Sequence, residues 1–252
     1  MIEIFILSLI QGITEFLPIS SSSHLILTTS LLNFENQDLS IDVSLHIGSF
    51  IAVLSYFSKD VINFYKNKML FLKILISSLP VMLVGFFLVE TNFIDRIRTI
   101  EIIAWATIIF GILLYISDKF SLKNDLQNNF NLKSAIFIGV LQICALIPGV
   151  SRSGIAITAA RFLNFKRVDA AKISFLISIP ILGAVSFFGL KNILSSDNYN
   201  FTIINLSAIL LSFFFSLVTI KFFLKYINKF NLNIFVIYRI LLGLVLLFFA
   251  YL

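Results

Sequence analysis

Charge is what this chain has least of. Only 13% of its 252 residues are Asp, Glu, Lys or Arg, while 59% are hydrophobic, a balance that excludes an ordinary water-soluble domain. A single cysteine, Cys144, excludes an internal disulfide and says nothing about redox compartment; inside an apolar segment it reads as a small packing residue. Short alternating segments are missing, which excludes a transmembrane β-barrel. A basic leader is missing too, with Glu3 in its place, so no cleavable signal segment is expected. Histidine occurs only twice and proline only four times, so the places where they do occur stand out.

What the chain has is apolar length. Runs at about 42–58, 69–89, 100–117, 168–189, 202–224 and 232–252 suit helices crossing roughly 30 Å of hydrocarbon. Residues 2–17 and 133–147 are shorter, because Pro18 and Pro148 end them. Each reads as half of a re-entrant hairpin, with a polar break at mid-membrane and a short returning helix at about 22–32 or 152–163. The expected fold is an all-α polytopic membrane protein: six transmembrane helices plus two re-entrant helical hairpins.

Loop charge supports the hairpins independently. With both segments re-entrant, fourteen Lys and Arg fall on one side, Lys66, Lys123, Lys166 and Lys225 among them, against Arg96, Arg98 and Lys191 on the other. Full crossing by the second segment would give eight against nine and erase the positive-inside bias. The basic loops are then cytoplasmic, with both termini and the acidic loop of Glu35 and Asp38 outside. The formal net charge of +6 reflects this topology and contact with anionic lipid headgroups; no nucleic-acid partner is expected.

The same parse exposes a repeat. Gln11 with Leu17-Pro18-Ile19-Ser20-Ser21-Ser22-Ser23 resembles Gln142 with Ile147-Pro148-Gly149-Val150-Ser151-Arg152-Ser153. The single membrane domain, residues 1–252, thus divides into halves of about 1–118 and 130–252 around a polar linker, Ser117 to Leu132. Three crossings per half make the second copy enter from the opposite face, the inverted-repeat plan that puts a shared site near the midplane.

Two motifs carry the chemistry. Gln11 and Glu15 are one helical turn apart and share a face, and Ser20 and Ser21 lie four and three residues before His24. A hydroxyl, an imidazole and a carboxylate are the kit for nucleophilic catalysis, and a carboxylate with an amide oxygen can also hold a hard divalent cation. Ser20 and Ser23 read as break and cap residues. In the second motif Gly149 and Gly154 permit close backbone approach, a helix opening near Ser151 aims its N–H groups into the break, and Arg152 supplies a forked cation. That outlines a phosphate cradle. Its plain alternative is an Arg152 that only neutralises Glu15. Ionisable groups in hydrocarbon are costly, which makes function the default reading.

At these residues the chain resembles the bacterial undecaprenyl-diphosphatases of the bacitracin-resistance type. The likeness rests on Gln-x-x-x-Glu before Phe16-Leu17-Pro18-Ile19-Ser20-Ser21-Ser22-Ser23-His24 and on Pro148-Gly149-Val150-Ser151-Arg152-Ser153-Gly154; it extends to Leu45-His46-Ile47-Gly48-Ser49 and Tyr238-Arg239. The resemblance implies hydrolysis of undecaprenyl diphosphate to undecaprenyl phosphate and inorganic phosphate, which recycles the carrier lipid for peptidoglycan and other wall polymers and gives bacitracin resistance. It implies a site on the outer side of the plasma membrane and a divalent cation, Mg²⁺ or Ca²⁺, on Glu15 and Gln11. By position Ser21 matches the nucleophile, His24 its partner, and Ser151 and Arg152 the phosphate-binding motif. Ser22, Gly149, Ser153 and Gly154 belong to the substrate-binding set.

Three positions depart from the family pattern. Gln11 stands where many members have a second glutamate, Ala156 where the second motif commonly ends in threonine, and Ser22-Ser23 where some relatives have Thr-Gly. Attack by Ser21 with His24 as base, attack by His24 itself, and attack by water on a metal-bound diphosphate all fit these residues. Outside the motifs, the 29 Phe read as lipid-facing and packing residues, His46 as a packed span residue, and Arg239 as a residue that snorkels or supports the site. The partners expected are the polyprenyl diphosphate and membrane lipids, with a homo-oligomer left open. A flippase or transporter of the carrier lipid is the rival class, because inverted repeats with broken helices also serve transport.

Overall fold

The computed structural model describes residues 2–32, 39–91, 96–194 and 203–252. The acidic loop of Glu35 and Asp38 lies outside them. Twelve α-helices occur among the described residues: α1 Ile2–Thr14, α2 Ser21–Leu32, α3 Leu39–Tyr56, α4 Ser58–Asn63, α5 Lys68–Glu90, α6 Ile100–Asp118, α7 Leu126–Asn129, α8 Leu132–Gln142, α9 Arg152–Phe162, α10 Arg167–Leu194, α11 Ile203–Ile227 and α12 Asn233–Tyr251. No strand is found among the described residues beyond one isolated bridge, Asn124 with Phe165. The protein is a multi-pass, all-helical membrane protein. Helices α5, α6, α10, α11 and α12 are long and apolar enough to cross, and α3, at 18 residues, falls just short.

The helices start where the sequence supplies caps. Asn67, Thr99, Asp125, Asn131 and Ser151 each accept a bond from an N–H of the first turn that follows, which satisfies donors that have no partner inside the helix. Lipid takes the place of an aqueous surface, so large apolar side chains such as Phe86, Phe87, Phe248 and Phe249 face outward.

Two helices are too short to cross. α1 has 13 residues and α8 has 11, roughly 20 and 17 Å at 1.5 Å per residue. α1 stops at Thr14, three residues before the expected end, and α8 tightens into a 3₁₀ turn at Ile143–Leu146 before Pro148. After each break the chain turns back into a short helix, α2 or α9. α9 is rich in Ala and Gly, and Ser153 to Arg161 are all buried, so small side chains let it occupy the middle of the bundle.

Packing relates the two parts of the chain. α1 lies along α11 as α8 lies along α5, α3 lies along α11 as α10 lies along α5, and α3 packs on α10 as α6 packs on α12. α9 contacts α6, while Ile26 and Leu27 of α2 join Leu242 and Leu247 of α12 in one cluster. Polar contacts reinforce the α3–α11 seam, where Ser216 and Ser212 meet Ser49 at 3.1 and 3.2 Å and Asn205 donates to Ser44 at 3.2 Å. Gly48 makes this approach possible, because a Cβ there would stand 2.8 Å from that of Ser212.

The polar linker is more structured than its composition suggests. It holds α7, its Lys123 and Asn124 N–H groups bond Asn164 O at 3.1 and 3.0 Å, and Leu126 and Phe130 enter the main core. A buried knot anchors this end: Asp118 takes Arg167 at 2.7 and 3.1 Å, Arg161 at 3.4 Å and the N–H of Leu232 at 3.1 Å.

Arg239 does the corresponding task deep in the bundle. Fully buried on α12, it donates to Thr107 O at 3.2 Å, to Pro18 O at 3.3 Å and to Gly149 O at 2.9 Å. One guanidinium thus ties α6 to a carbonyl from each helix break. It points inward rather than snorkelling. Arg239→Ala leaves Pro18 O without a donor and Gly149 O with only the 3.4 Å bond from Thr107 Oγ1, at about 1–3 kcal/mol for a buried group left unpaired, and lysine cannot supply three diverging donors from one fork. Both variants should therefore unfold at markedly lower temperature in detergent. A variant as stable as the parent would show that something else holds the breaks.

Candidate active site

Both breaks turn on a serine in an unusual conformation. Ser20 has φ 76° and Ser151 φ 72°, left-handed backbone that costs a non-glycine residue about 1–3 kcal/mol and clusters at functional sites. The two are separated by the same interval as Gln11 and Gln142. Local bonds hold each turn: Ser20 Oγ meets Ser23 Oγ at 3.0 Å, and Ser151 Oγ meets Ser153 Oγ at 3.2 Å and accepts from Gly154 N at 3.1 Å.

The residue after each strained serine reaches one carboxylate. Ser21 Oγ donates to Glu15 Oε2 at 2.6 Å, and Arg152 Nη2 donates to Glu15 Oε1 at 2.8 Å. Gln11 steadies the group from one turn earlier, its Nε2 lying 3.2 Å from Oε2. The Nη1 of Arg152 is buried and has no protein partner. One arm of the fork is therefore committed to Glu15, while the other is a donor without an acceptor.

These groups floor a cavity of about 220 Å³. Thr14, Glu15, Ser20, Ser21, Ser22, Ser151, Arg152 and His46 supply its polar lining, and Val81, Leu146, Ile181 and Val185 contribute an apolar wall. α2 and α9 both begin here, so two helix N-termini converge on one space. A cationic, donor-rich floor beside an apolar wall suits a molecule with an anionic head and an apolar tail.

Of the residues singled out in the sequence, Glu15, Ser21, Ser22, Ser151 and Arg152 line the cavity, whereas Gln11, His24, Gly149, Ser153 and Gly154 do not. Gln11 is fully buried behind Glu15. Ser153 ties the second break to the first by donating to Leu17 O at 2.7 Å. Gly149, at φ +99°, makes the turn and gives its carbonyl to Arg239. Gly154 has its N–H taken by the Ser151 cap, and a Cβ there would lie 2.9 Å from Arg239 Nη1. Thr158 is buried away from the cavity, so it does not replace the hydroxyl lost at Ala156.

His24 departs from its expected place beside Ser21. Its Nδ1 is 2.6 Å from Ser20 O and its Nε2 2.5 Å from the Tyr238 hydroxyl, with the two rings stacked at 5.7 Å. Both nitrogens are occupied, and the group bonded to the Ser21 hydroxyl is Glu15. Three residues along a helix placed His24 near Ser21 in sequence, but the partner that orients its ring comes from α12, which local spacing does not reveal. The histidine that does line the cavity is His46, read from the sequence as a packing residue.

For a cation on Glu15 and Gln11, Gln11 Oε1 is buried without a partner, whereas Glu15 is heavily engaged. Glu15 already accepts from a guanidinium, a hydroxyl and the Gln11 amide, and a divalent ion would have to approach past Arg152. No group of three His, Cys, Asp or Glu is placed to hold a metal among the described residues.

The open arm of Arg152 yields a test. Arg152→Lys keeps the charge but cannot hold Glu15 and an anion through one planar fork. Lysine should be nearly as damaging as alanine in turnover assays, at about 3 kcal/mol or more of lost transition-state stabilisation. Substantial activity in the lysine variant would reduce Arg152 to a counter-ion for Glu15.

The chain is similar to known proteins over nearly its whole length. The model of the family described as bacitracin resistance protein BacA matches residues 4–245. An undecaprenyl-diphosphatase of Pelagibacter ubique (strain HTCC1062) is 46% identical over 251 residues, covering 99% of this chain and 98% of the relative. Undecaprenyl-diphosphatases of Saccharophagus degradans, 43% identical over 94% of this chain and 93% of theirs, and of Jannaschia sp. (strain CCS1), 38% identical over 98% of both, are similar along their length. The chain belongs to the bacitracin resistance protein BacA family.

Proposed function

We propose that this protein hydrolyses undecaprenyl diphosphate to undecaprenyl phosphate and inorganic phosphate. The observation that carries the reading is the Ser21–Glu15–Arg152 cluster at the floor of a half-apolar cavity. The family and the names of its relatives agree with it. The product is the monophosphate carrier on which wall polymers are built, and its supply accounts for bacitracin resistance.

The chemistry follows from the bonds. Phosphoryl transfer asks a protein mostly for positioning and charge neutralisation. The open arm of Arg152 and the N–H groups at the starts of α2 and α9 bind the terminal phosphate. Ser21 Oγ attacks its phosphorus, and Glu15, 2.6 Å away, takes the hydroxyl proton. Undecaprenyl phosphate departs along the apolar wall. His24 acts at one remove, fixing Ser20 and hence the direction of Ser21. No step is assigned to a metal.

The membrane setting belongs to the same proposal. Six crossings, α3 included, and two re-entrant hairpins place the basic loops in the cytoplasm of a bacterial cell and open the cavity to the outer side of the plasma membrane. The matched packing of α1 on α11 and α8 on α5 is what exchange of residues 1–118 with 130–252 would produce. It supports an inverted repeat whose two breaks share one site.

Purified protein in detergent should release phosphate from a polyprenyl diphosphate, with a chelator arm to show whether a cation accompanies the substrate. Ser21→Ala should abolish release, whereas Ser23→Ala, which loses only the bond to Ser20 Oγ, should cost about 0.5–1.5 kcal/mol of stability. No phosphate from the parent protein would return the chain to the transport reading. For topology, a cysteine placed at Asn67 or Asn228 should be protected from an impermeant label applied outside. Labelling at Asn228 with Asn67 protected would break the two-hairpin arrangement.

A further inference from the structure

In the second half of the phosphatase reaction water attacks faster if a base takes its proton. Once Glu15 has taken the Ser21 proton it is a neutral acid. It can return that proton to Ser21 Oγ when the phosphoserine is hydrolysed, but it cannot at the same moment accept one from the attacking water. A second base facing the same cavity would let water lose its proton as it attacks, rather than carry it onto the phosphate. His24 cannot serve, because Ser20 O and the Tyr238 hydroxyl occupy its two nitrogens.

His46 has the required geometry. It sits on α3, half-buried, and lines the cavity with Glu15, Ser21 and Arg152. Its Nδ1 lies 2.8 Å from Asp42 O one turn back. A carbonyl only accepts, so Nδ1 carries the hydrogen, and the neutral ring keeps its lone pair on Nε2. No described protein group bonds that nitrogen.

We propose that His46 Nε2 is the base that activates water in the second half of the reaction. In the first half the Ser21 Oγ–P bond forms, the bridging P–O bond breaks, the Ser21 proton passes to Glu15 and lipid monophosphate leaves. In the second half water oxygen bonds to phosphorus and the Ser21 Oγ–P bond breaks. The Glu15 proton returns to Ser21, and the water proton goes to His46 and thence to solvent. This assignment rests on the phosphatase reading and adds to it a division of labour between two bases.

The test uses full-length protein and a polyprenyl diphosphate labelled with ³²P at the terminal phosphorus. His46→Ala should complete the first half, releasing about one equivalent of lipid monophosphate and retaining label on Ser21. Release of phosphate should then slow by about 10²-fold or more, as for loss of a general base. The prompt first turnover shows that the variant is folded, and added imidazole should speed release of the label. Phosphate release by His46→Ala at the parental rate, or loss of the first turnover with no labelled protein, overturns the proposal while leaving the phosphatase reading intact. A parent protein that releases no phosphate removes both.

Discussion

A guanidinium without a carboxylate is the interaction on which this architecture depends. Breaking a helix in hydrocarbon strands backbone carbonyls that neither water nor the next turn can satisfy. Arg239 answers that problem for both breaks together, bonding Pro18 O, Gly149 O and Thr107 O from a fully buried position. The neighbouring Tyr238 meets His24 at the start of α2. Two consecutive residues of α12 thus brace the irregular backbone of both breaks, and the left-handed turns at Ser20 and Ser151 persist within that frame.

From that bracing the electrostatics follow. The carboxylate of Glu15 and the guanidinium of Arg152 offset each other at 2.8 Å, which limits the cost of burying either. Arg239 then adds an uncompensated positive charge behind the cavity, and the openings of α2 and α9 add the positive ends of two helix dipoles. The floor favours an anion before any substrate arrives. Because the donors are set by backbone and packing, little reorganisation is needed as charge develops on the transferred phosphoryl group.

Local order determined how much of this could be read from the sequence. Long apolar runs gave the crossing helices to within a few residues, and Pro18 and Pro148 marked the breaks, because length and proline act through the chain itself. Gln11 and Glu15 share a face as their spacing requires. The pairing of Glu15 with Arg152, held open in the sequence as a plain ion pair or a phosphate site, exists, and one arm of the fork stays free for the second use. That His46 rather than His24 lines the cavity was not legible. It depends on Tyr238 from α12 and on the face that α3 turns toward the breaks, and both are settled by packing between helices far apart in sequence. Helices α4 and α7 are too short and polar for periodicity to mark them; α7 is held by the buried anchors Leu126 and Phe130.

The central claim is that a serine held by Glu15 passes the phosphoryl group through a covalent intermediate. The stereochemical course at the transferred phosphorus tests it most directly, using a lipid diphosphate made chiral at the terminal phosphorus with sulfur and oxygen isotopes and hydrolysed in labelled water. Each in-line displacement inverts the centre, so two successive displacements through Ser21 predict overall retention. Inversion would mean a single direct attack by water, and would contradict the account.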